Sequence, residues 1–339
     1  MQPPPTPPVN FDLATAARRV VDGSLGVVPG ERVLVVYDRA HVDVADALVH
    51  AVTETEGTPM RLVLEDLAPR PHAHLDSRVR EALKGAQASA LVCSFHGGEY
   101  ATRAELVAEV ERLGLRHAHM VGLTQRSMVA ALAADPQRIE ALSNKVLARM
   151  RPTSVLRVRS AAGTNLTVRL HPKNRWVNHC GVIRAGKKEN LPGGELVACP
   201  ADASGVYVAN GTLGDATGSF VGTLAKSALV LHVEAGVVKR IEGSDASLAR
   251  RLQVAIRGVP NLDRVALVSL GTNVGLLEPV GEIFVDQTLP SFHLSLGLTF
   301  PERTGASWTC ERWIGFTATG SDVDVDGAPL MRAGRYLVD

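Results

Sequence analysis

Apolar positions recur at helical spacing behind Asp12, where Leu13, Ala16, Ala17, Val20 and Val21 share one stripe. Asp12 suits an N-cap, and Gly23 and Gly26 mark the expected end of this helix. After a turn at Pro29-Gly30, the run Arg32–Val36 (RVLVV) reads as a buried strand. The pattern then switches repeatedly between the two periods. A helix is expected from about Val42 to Glu56, stopped at Gly57, then a strand at Met60–Leu64 and a helix near Ser77–Leu83. A strand at Ala90–Ser94, a helix at Arg103–Leu113, a strand at Ala118–Val121 and two helices within Gln125–Met150 follow. Such alternation predicts an open, mostly parallel sheet flanked by helices.

Beyond Arg151-Pro152 the segments shorten and strands dominate: Ser154–Ser160, Asn165–Leu170, Leu196–Cys199, Val206–Ala209, Ala228–Glu234 and Val237–Ile241. Ala162-Gly163-Thr164-Asn165 reads as a hairpin turn between the first two. A helix over Asp245–Ile256 interrupts the series, and Val265–Leu270, Glu282–Val285, Phe292–Leu296 and Ile314–Ala318 are expected to complete it. Asp326-Gly327 signals a final hairpin. The fold class is therefore an α/β domain over residues 11–152 followed by a mainly antiparallel, β-rich α+β domain over 153–339. The prolines of residues 1–10 (MQPPPTPPVN) lead us to expect a disordered or polyproline-like arm.

Length and charge fit this picture. At 339 residues, each half is long enough to bury its own core. A formal net charge of +1 gives no footprint for nucleic acid, and the small cluster Arg184, Lys187 and Lys188 reads as a solvated turn. No apolar run approaches membrane-spanning length, and the N-terminus lacks the pattern of a signal peptide. The four cysteines (Cys93, Cys180, Cys199 and Cys310) are widely spaced, which argues against a disulfide framework and for a reduced cytoplasm.

Catalytic motifs are sparse. Gly97-Gly98 sits between a strand and a helix, where an anion can bind, but a plain turn explains it. Asp322–Gly327 opens like a calcium loop, yet Ala333 stands where the closing acid belongs. Asn190–Glu195 (NLPGGE) uses turn residues to deliver a carboxylate to the start of a strand, where it suits a metal ion or a substrate ammonium group. His293 alternates with Phe292 and Leu294, which places it opposite the large apolar side chains. It reads as a ligand, a base or a hydrogen-bonded structural residue. Trp308 and Trp313 lie within six residues in a chain only 4% aromatic, and with Arg312 they suit either a ligand pocket or a core cap. His179-Cys180 fails as a ligand pair because neighbours on a strand face opposite ways.

In order and spacing these pieces resemble the aminopeptidase T family of metallo-aminopeptidases and its relatives that open dihydroxypyridine rings with non-haem iron. Val27–Val35 resembles the family's opening strand, Gly163–Val168 its second-domain hairpin, and Asn190–Glu195 its Asn-x-Pro-x-Gly-Glu segment. Leu270–Asn273, Gly281 and Ser291–Gly297 are similar to its later glycine-asparagine and metal-histidine strands. The resemblance implies metal-ligand positions at Glu195 and His293. The second glutamate is missing from Val265–Ser269, and Arg312–Gly315 holds no His-x-Asp pair. Two ligands fall short of zinc's usual three or four and of an iron facial triad.

The expected function is thus peptide binding on a degenerate aminopeptidase scaffold, with Glu195, His293, Trp308, Arg312 and Trp313 as ligand contacts. The peptide is a substrate or a precursor in ribosomal natural-product maturation, held or modified without a cofactor. Self-association as a homodimer is the assembly left open. The alternative is an active aminopeptidase or ring-cleaving dioxygenase with zinc or iron at a remodelled site. There Glu195 and His293 combine with Cys310, Glu311, Asp286 or Glu282.

Overall fold

The computed structural model of the protein describes residues 12–151, 154–215, 220 and 222–338. The expected arm at 1–10 and the Pro152 boundary lie outside them. The chain divides into two compact units. The first takes residues up to Asp135 together with Val182–Leu191, and the second takes Pro136–Gly181 and the chain from Pro192 onward.

In the first unit, α1 (Leu13–Arg18) is capped by Asp12, whose carboxylate accepts the Thr15 N–H at 2.8 Å. The helix runs on through Gly23 as a π-helical stretch and stops at Gly26, which has a left-handed φ of 58°. Then come β1 (Arg32–Tyr37), α2 (Val42–Glu54), β2 (Thr58–Val63), α3 (Leu64–Leu67), α4 (Ser77–Lys84), β3 (Ala88–Cys93), α5 (Tyr100–Leu113), β4 (Arg116–Val121) and α6 (Gln125–Ala131). The chain next enters the second unit for α7 (Pro136–Ala148), β5 (Val155–Ser160), β6 (Asn165–Leu170) and β7 (Val177–His179). It returns to the first for β8 (Lys187–Asn190).

The sheet of the first unit has the order β2-β1-β3-β4-β8, with every pairing parallel. Strand order reverses between β1 and β3, so their carboxyl ends form a topological switch point. β8 corrects an expectation. Arg184–Lys187 does turn, with the Lys187 N–H on the Arg184 carbonyl at 3.0 Å, but Lys187 and Lys188 then pair with Arg116 and His117. Their backbone groups satisfy the open side of β4, a gain that the polar sequence KKEN does not announce.

The second unit continues with β9 (Glu195–Ala198), β10 (Pro200–Ala209), β11 (Thr212–Asp215), β12 (Gly222–Thr223), β13 (Leu229–Glu234), β14 (Val237–Gly243) and α8 (Ala246–Arg257). β15 (Val265–Gly271), α9 (Ile283–Asp286), β16 (Phe292–Gly297), α10 (Pro301–Thr304), β17 (Trp313–Phe316), β18 (Ser321–Val325), β19 (Ala328–Arg332) and β20 (Arg335–Tyr336) complete it. Among the described residues its strands form two antiparallel sheets, β14-β13-β10-β6-β5-β18-β19-β20 and β12-β11-β17-β16-β15-β9-β7. Asp326-Gly327 makes the expected two-residue hairpin, with φ of 51° and 87° and Val325 paired to Ala328. The strand expected at Glu282–Val285 is instead the helical turn α9. A four-residue apolar run fits either period. Asp286 decides it by collecting the N–H groups of Val280 and Gly281 at 2.7 and 2.8 Å, which folds the loop back.

The core lies between the two sheets, where Leu156, Val158 and Tyr207 meet Leu196, Leu270, Phe292, Leu294 and Phe316. Full burial of each large apolar side chain contributes about 1.5–3 kcal/mol. The Tyr207 hydroxyl donates to the Phe316 carbonyl at 3.0 Å, so the one polar atom it brings into this core is satisfied. The other face of the second sheet carries a different set of side chains. There His179 opposes Glu195, Val197 opposes Ser269, and Ser269 opposes His293.

Candidate functional site

Glu195 is aimed by two glycines that no other residue can replace. A Cβ on Gly193 would stand 2.3 Å from the Gly181 nitrogen. Gly194 has φ +112°, and a Cβ there would stand 2.7 Å from the Asn273 nitrogen. The Gly194 N–H donates to the His179 carbonyl and its carbonyl accepts from Thr272, both at 2.7 Å. The backbone is therefore clamped immediately before β9 begins. Glu195 keeps some exposure, but the protein packed around its carboxyl pushes the pKa up to about 8, and a hydrogen bond with Ser269 offsets only part of that shift. At neutral pH it is a neutral acid, able to donate as well as accept.

His293 lies on the same face, across Ser269, and both of its ring nitrogens are committed. Nδ1 accepts the Ala318 N–H at 3.2 Å, so the proton is on Nε2, which donates to the Leu289 carbonyl at 2.9 Å. Burial lowers its pKa to about 4, and the imidazole stays neutral. The alternation expected from the sequence holds, but both faces of β16 are buried. His293 joins the end of α9 to the segment after β17 and offers no lone pair.

The other expected contacts divide. Trp313 shares the face of Glu195 and His293. Its indole folds over Gly315, where a Cβ would meet the ring at 2.5 Å, and stacks on Phe284 with centroids 5.6 Å apart. Trp308 lies elsewhere, with the Arg264 guanidinium 4.0 Å from its ring centroid. Arg312 precedes β17 and makes no ion pair among the described residues; its N–H donates to the Cys310 sulfur at 3.4 Å. Of the residues proposed for a remodelled metal site, Asp286 is fully buried and accepts from Thr212 as well as Val280 and Gly281. Cys310 is buried and Glu311 exposed. Glu282 stands at the N-cap of α9. Among the described residues no three His, Cys, Asp or Glu side chains converge as a metal site.

The first unit holds a polar cluster that sequence reading missed, at the switch point. Arg70 donates to both oxygens of Glu99 at 2.9 and 2.6 Å and to Asp38 at 2.5 Å. Asp38 also accepts from the Ser94 N–H at 2.7 Å and contacts His41 at 2.5 Å. Burial works to raise both carboxyls. For Asp38 the bonds from His41 and Ser94 outweigh it, and for Glu99 those from Arg70 and the His72 N–H do so. Both pKa values end below the ordinary range. Deeper in the same sheet, His117 bonds Ser89 at 2.8 Å and approaches His119 at 3.3 Å. Burial, aided by the nearby Lys188 charge, brings His117 down to about 3. The alternation His-Ala-His on β4 was the available signal for that pair.

Residues 13–260 match the sequence model of a family described as NicX, 2,5-dihydroxypyridine 5,6-dioxygenase. The chain belongs to this NicX family. The matched stretch includes Glu195 and ends before His293, Trp308 and Trp313. In fold the chain is similar to 2,5-dihydroxypyridine dioxygenase from Pseudomonas putida KT2440, with a TM-score of 0.66, 17% identity, and coverage of 98% of this chain and 99% of that one. It is also similar to wild-type AmpT from Thermus thermophilus, with a TM-score of 0.63, 18% identity, and coverage of 96% and 99%. The two-domain architecture expected from the resemblance is thereby established. A comparison with curated proteins gives no match. Among the described residues, the metal that NicX membership implies finds no fitting donor set. His293 spends both nitrogens on backbone groups, and Glu195 holds a proton and a bond to Ser269. Among the described residues, no helix is long and apolar enough to cross a membrane.

Proposed function

We propose that this NicX-family chain binds an amide-bearing ligand, a peptide, on the polar face of its second sheet without using a metal. The single observation behind this reading is Glu195: a residue only partly buried, clamped by Gly193 and Gly194, whose carboxyl has a pKa raised to about 8. A neutral carboxylic acid matches an amide on both sides, its O–H donating to a C=O and its C=O accepting an N–H. A precursor peptide held for modification by a partner enzyme fits this chemistry. Ser269 and Trp313 add a hydrogen-bonding group and an aromatic wall on the same face.

Calorimetric titration of the full chain with acetylated peptides tests the reading. Binding is expected near pH 6, with affinity falling as pH rises through about 8 and Glu195 ionises. Glu195→Gln, which keeps both a donor and an acceptor, is expected to retain binding and to lose the pH dependence. Glu195→Ala is expected to lose binding. The competing reading, favoured by family membership, is a metal-dependent ring-cleaving enzyme. Tightly held iron in near-stoichiometric amount, with oxygen uptake on 2,5-dihydroxypyridine and no peptide binding, would replace our proposal with that one.

A further inference from the structure

The loop between β16 and β17 combines one strained residue with a tryptophan ring that seats an unmatched cation from outside the loop. Phe300 holds φ 51° and ψ 65°, a left-handed conformation that is costly for a bulky side chain. Hydrogen bonds hold the loop against that strain. The Thr299 hydroxyl donates to the Trp308 carbonyl at 2.5 Å, and the Thr304 hydroxyl donates to the Thr299 carbonyl at 2.8 Å. Trp308 is thereby fixed beneath Arg264, which enters just before β15.

The Arg264 guanidinium makes no hydrogen bond or ion pair with the described residues; the Trp308 ring is its partner. A guanidinium seated over an aromatic face keeps its N–H edge available, and that edge matches a carboxylate in a bidentate pair. The surroundings are apolar: Cys199, Leu267, Ala306 and Phe300 pack together with Trp308. One cation with apolar walls suits a monoanion carrying an apolar body better than a polyanionic phosphate.

The position relative to Glu195 gives this site a length scale. Cys199 follows β9 four residues after Glu195, on the side away from the core that holds Leu196 and Ala198. Four residues of strand span roughly 13 Å at ~3.3 Å each.

We infer that Arg264, seated on Trp308, receives the C-terminal carboxylate of a short, extended peptide whose backbone amide lies at Glu195. The Glu195 contact rests on the peptide reading above; the carboxylate contact stands on Arg264 alone. The occupant is thus a peptide with a free, apolar C-terminal residue.

Isothermal calorimetry on the full chain, with N-acetyl-leucine and its uncharged amide as probes, separates these two dependences. The acid is expected to bind at least about tenfold more tightly than the amide, as expected for loss of a charge-assisted pair. Arg264→Gln brings the acid down to the level of the amide. Arg264→Lys, which keeps the charge and loses the fork, falls between. Equal affinity for acid and amide in the unaltered protein, no binding of the acid, or an acid affinity unchanged in Arg264→Gln overturns the inference. A four-residue acetylated peptide with a free C-terminus is expected to bind more tightly than N-acetyl-leucine. If it gains nothing, the peptide reading at Glu195 falls while the carboxylate site stands.

Discussion

The switch-point cluster of the first unit and the polar face of the second unit bury ionisable groups in opposite ways. At the switch point of the first, Arg70 lies between Asp38 and Glu99, and backbone N–H groups of Ser94 and His72 complete the carboxylates. The cluster stays charged because each charge has a partner. On the polar face of the second, Glu195 and His293 have no counter-charge within bonding distance among the described residues, and each takes its neutral form, with pKa values pushed in opposite directions to about 8 and about 4. Burial is the same force in both places. Pairing decides whether it leaves an ion or removes one.

The largest break in this contrast is expected from Arg70→Met. It leaves two buried carboxylates facing each other, and urea unfolding should show a loss of about 3–5 kcal/mol. Adding Asp38→Asn and Glu99→Gln should restore much of it; no recovery would mean that Arg70 matters for packing instead. Next, Glu195→Gln should stabilise the protein in mildly alkaline buffer by about 3 kcal/mol and leave it unchanged near pH 4. The folded state holds a proton on Glu195 that the unfolded state releases above its ordinary pKa of 4.5. Stability therefore falls as pH rises from there to about 8, and glutamine removes that slope.

His293 should show the mirror image. Its folded pKa of about 4 lies below the ordinary 6.5, so the unfolded chain takes up the proton first and stability declines as pH falls through that window, by about 2–3 kcal/mol. In His293→Gln this acid limb should flatten, and nitrogen-detected NMR of the unaltered protein should find the Nε2–H tautomer. An Nδ1–H signal would contradict the bonding to Ala318 and Leu289. The smallest effect is expected from Ser269→Ala. Removing the hydrogen bond that steadies the ionised form should move the Glu195 pKa further upward from about 8, read by NMR titration of its carboxyl carbon.

How far the chain could be read in advance follows the same logic of neighbours. The alternation of strand and helix was plain, because Val33–Val36 and the α2 stripe carry their period within a few residues. The Asp326-Gly327 hairpin and the delivery of Glu195 by Gly193 and Gly194 were visible for the same reason: the turn chemistry is local. Lys187–Asn190 became a strand only because β4 had an open side, and Ile283–Asp286 became a turn of helix through hydrogen bonds to a loop. The Asp38–Arg70–Glu99 cluster joins residues 29 to 32 positions apart, and Ser269 reaches Glu195 only through strand pairing. His293 was read correctly in position and left open in role. Its two bonds run to Leu289 and Ala318, and the second has no signature in the local sequence.

The path of the chain between the units bears on the order in which they can assemble. β8 closes the first sheet, yet it is synthesised after α7 and β5–β7 of the second unit. A chain emerging from the ribosome can therefore build β1–β4 early but must leave the outer edge of β4 unpaired until residue 190 has appeared. In that interval the exposed edge is open to pairing with another chain, a familiar route to aggregation. A fragment cut at residue 152 would hold that vulnerable state permanently. Slow elongation or a chaperone would matter most over the stretch between β4, which ends at Val121, and β8, which begins at Lys187.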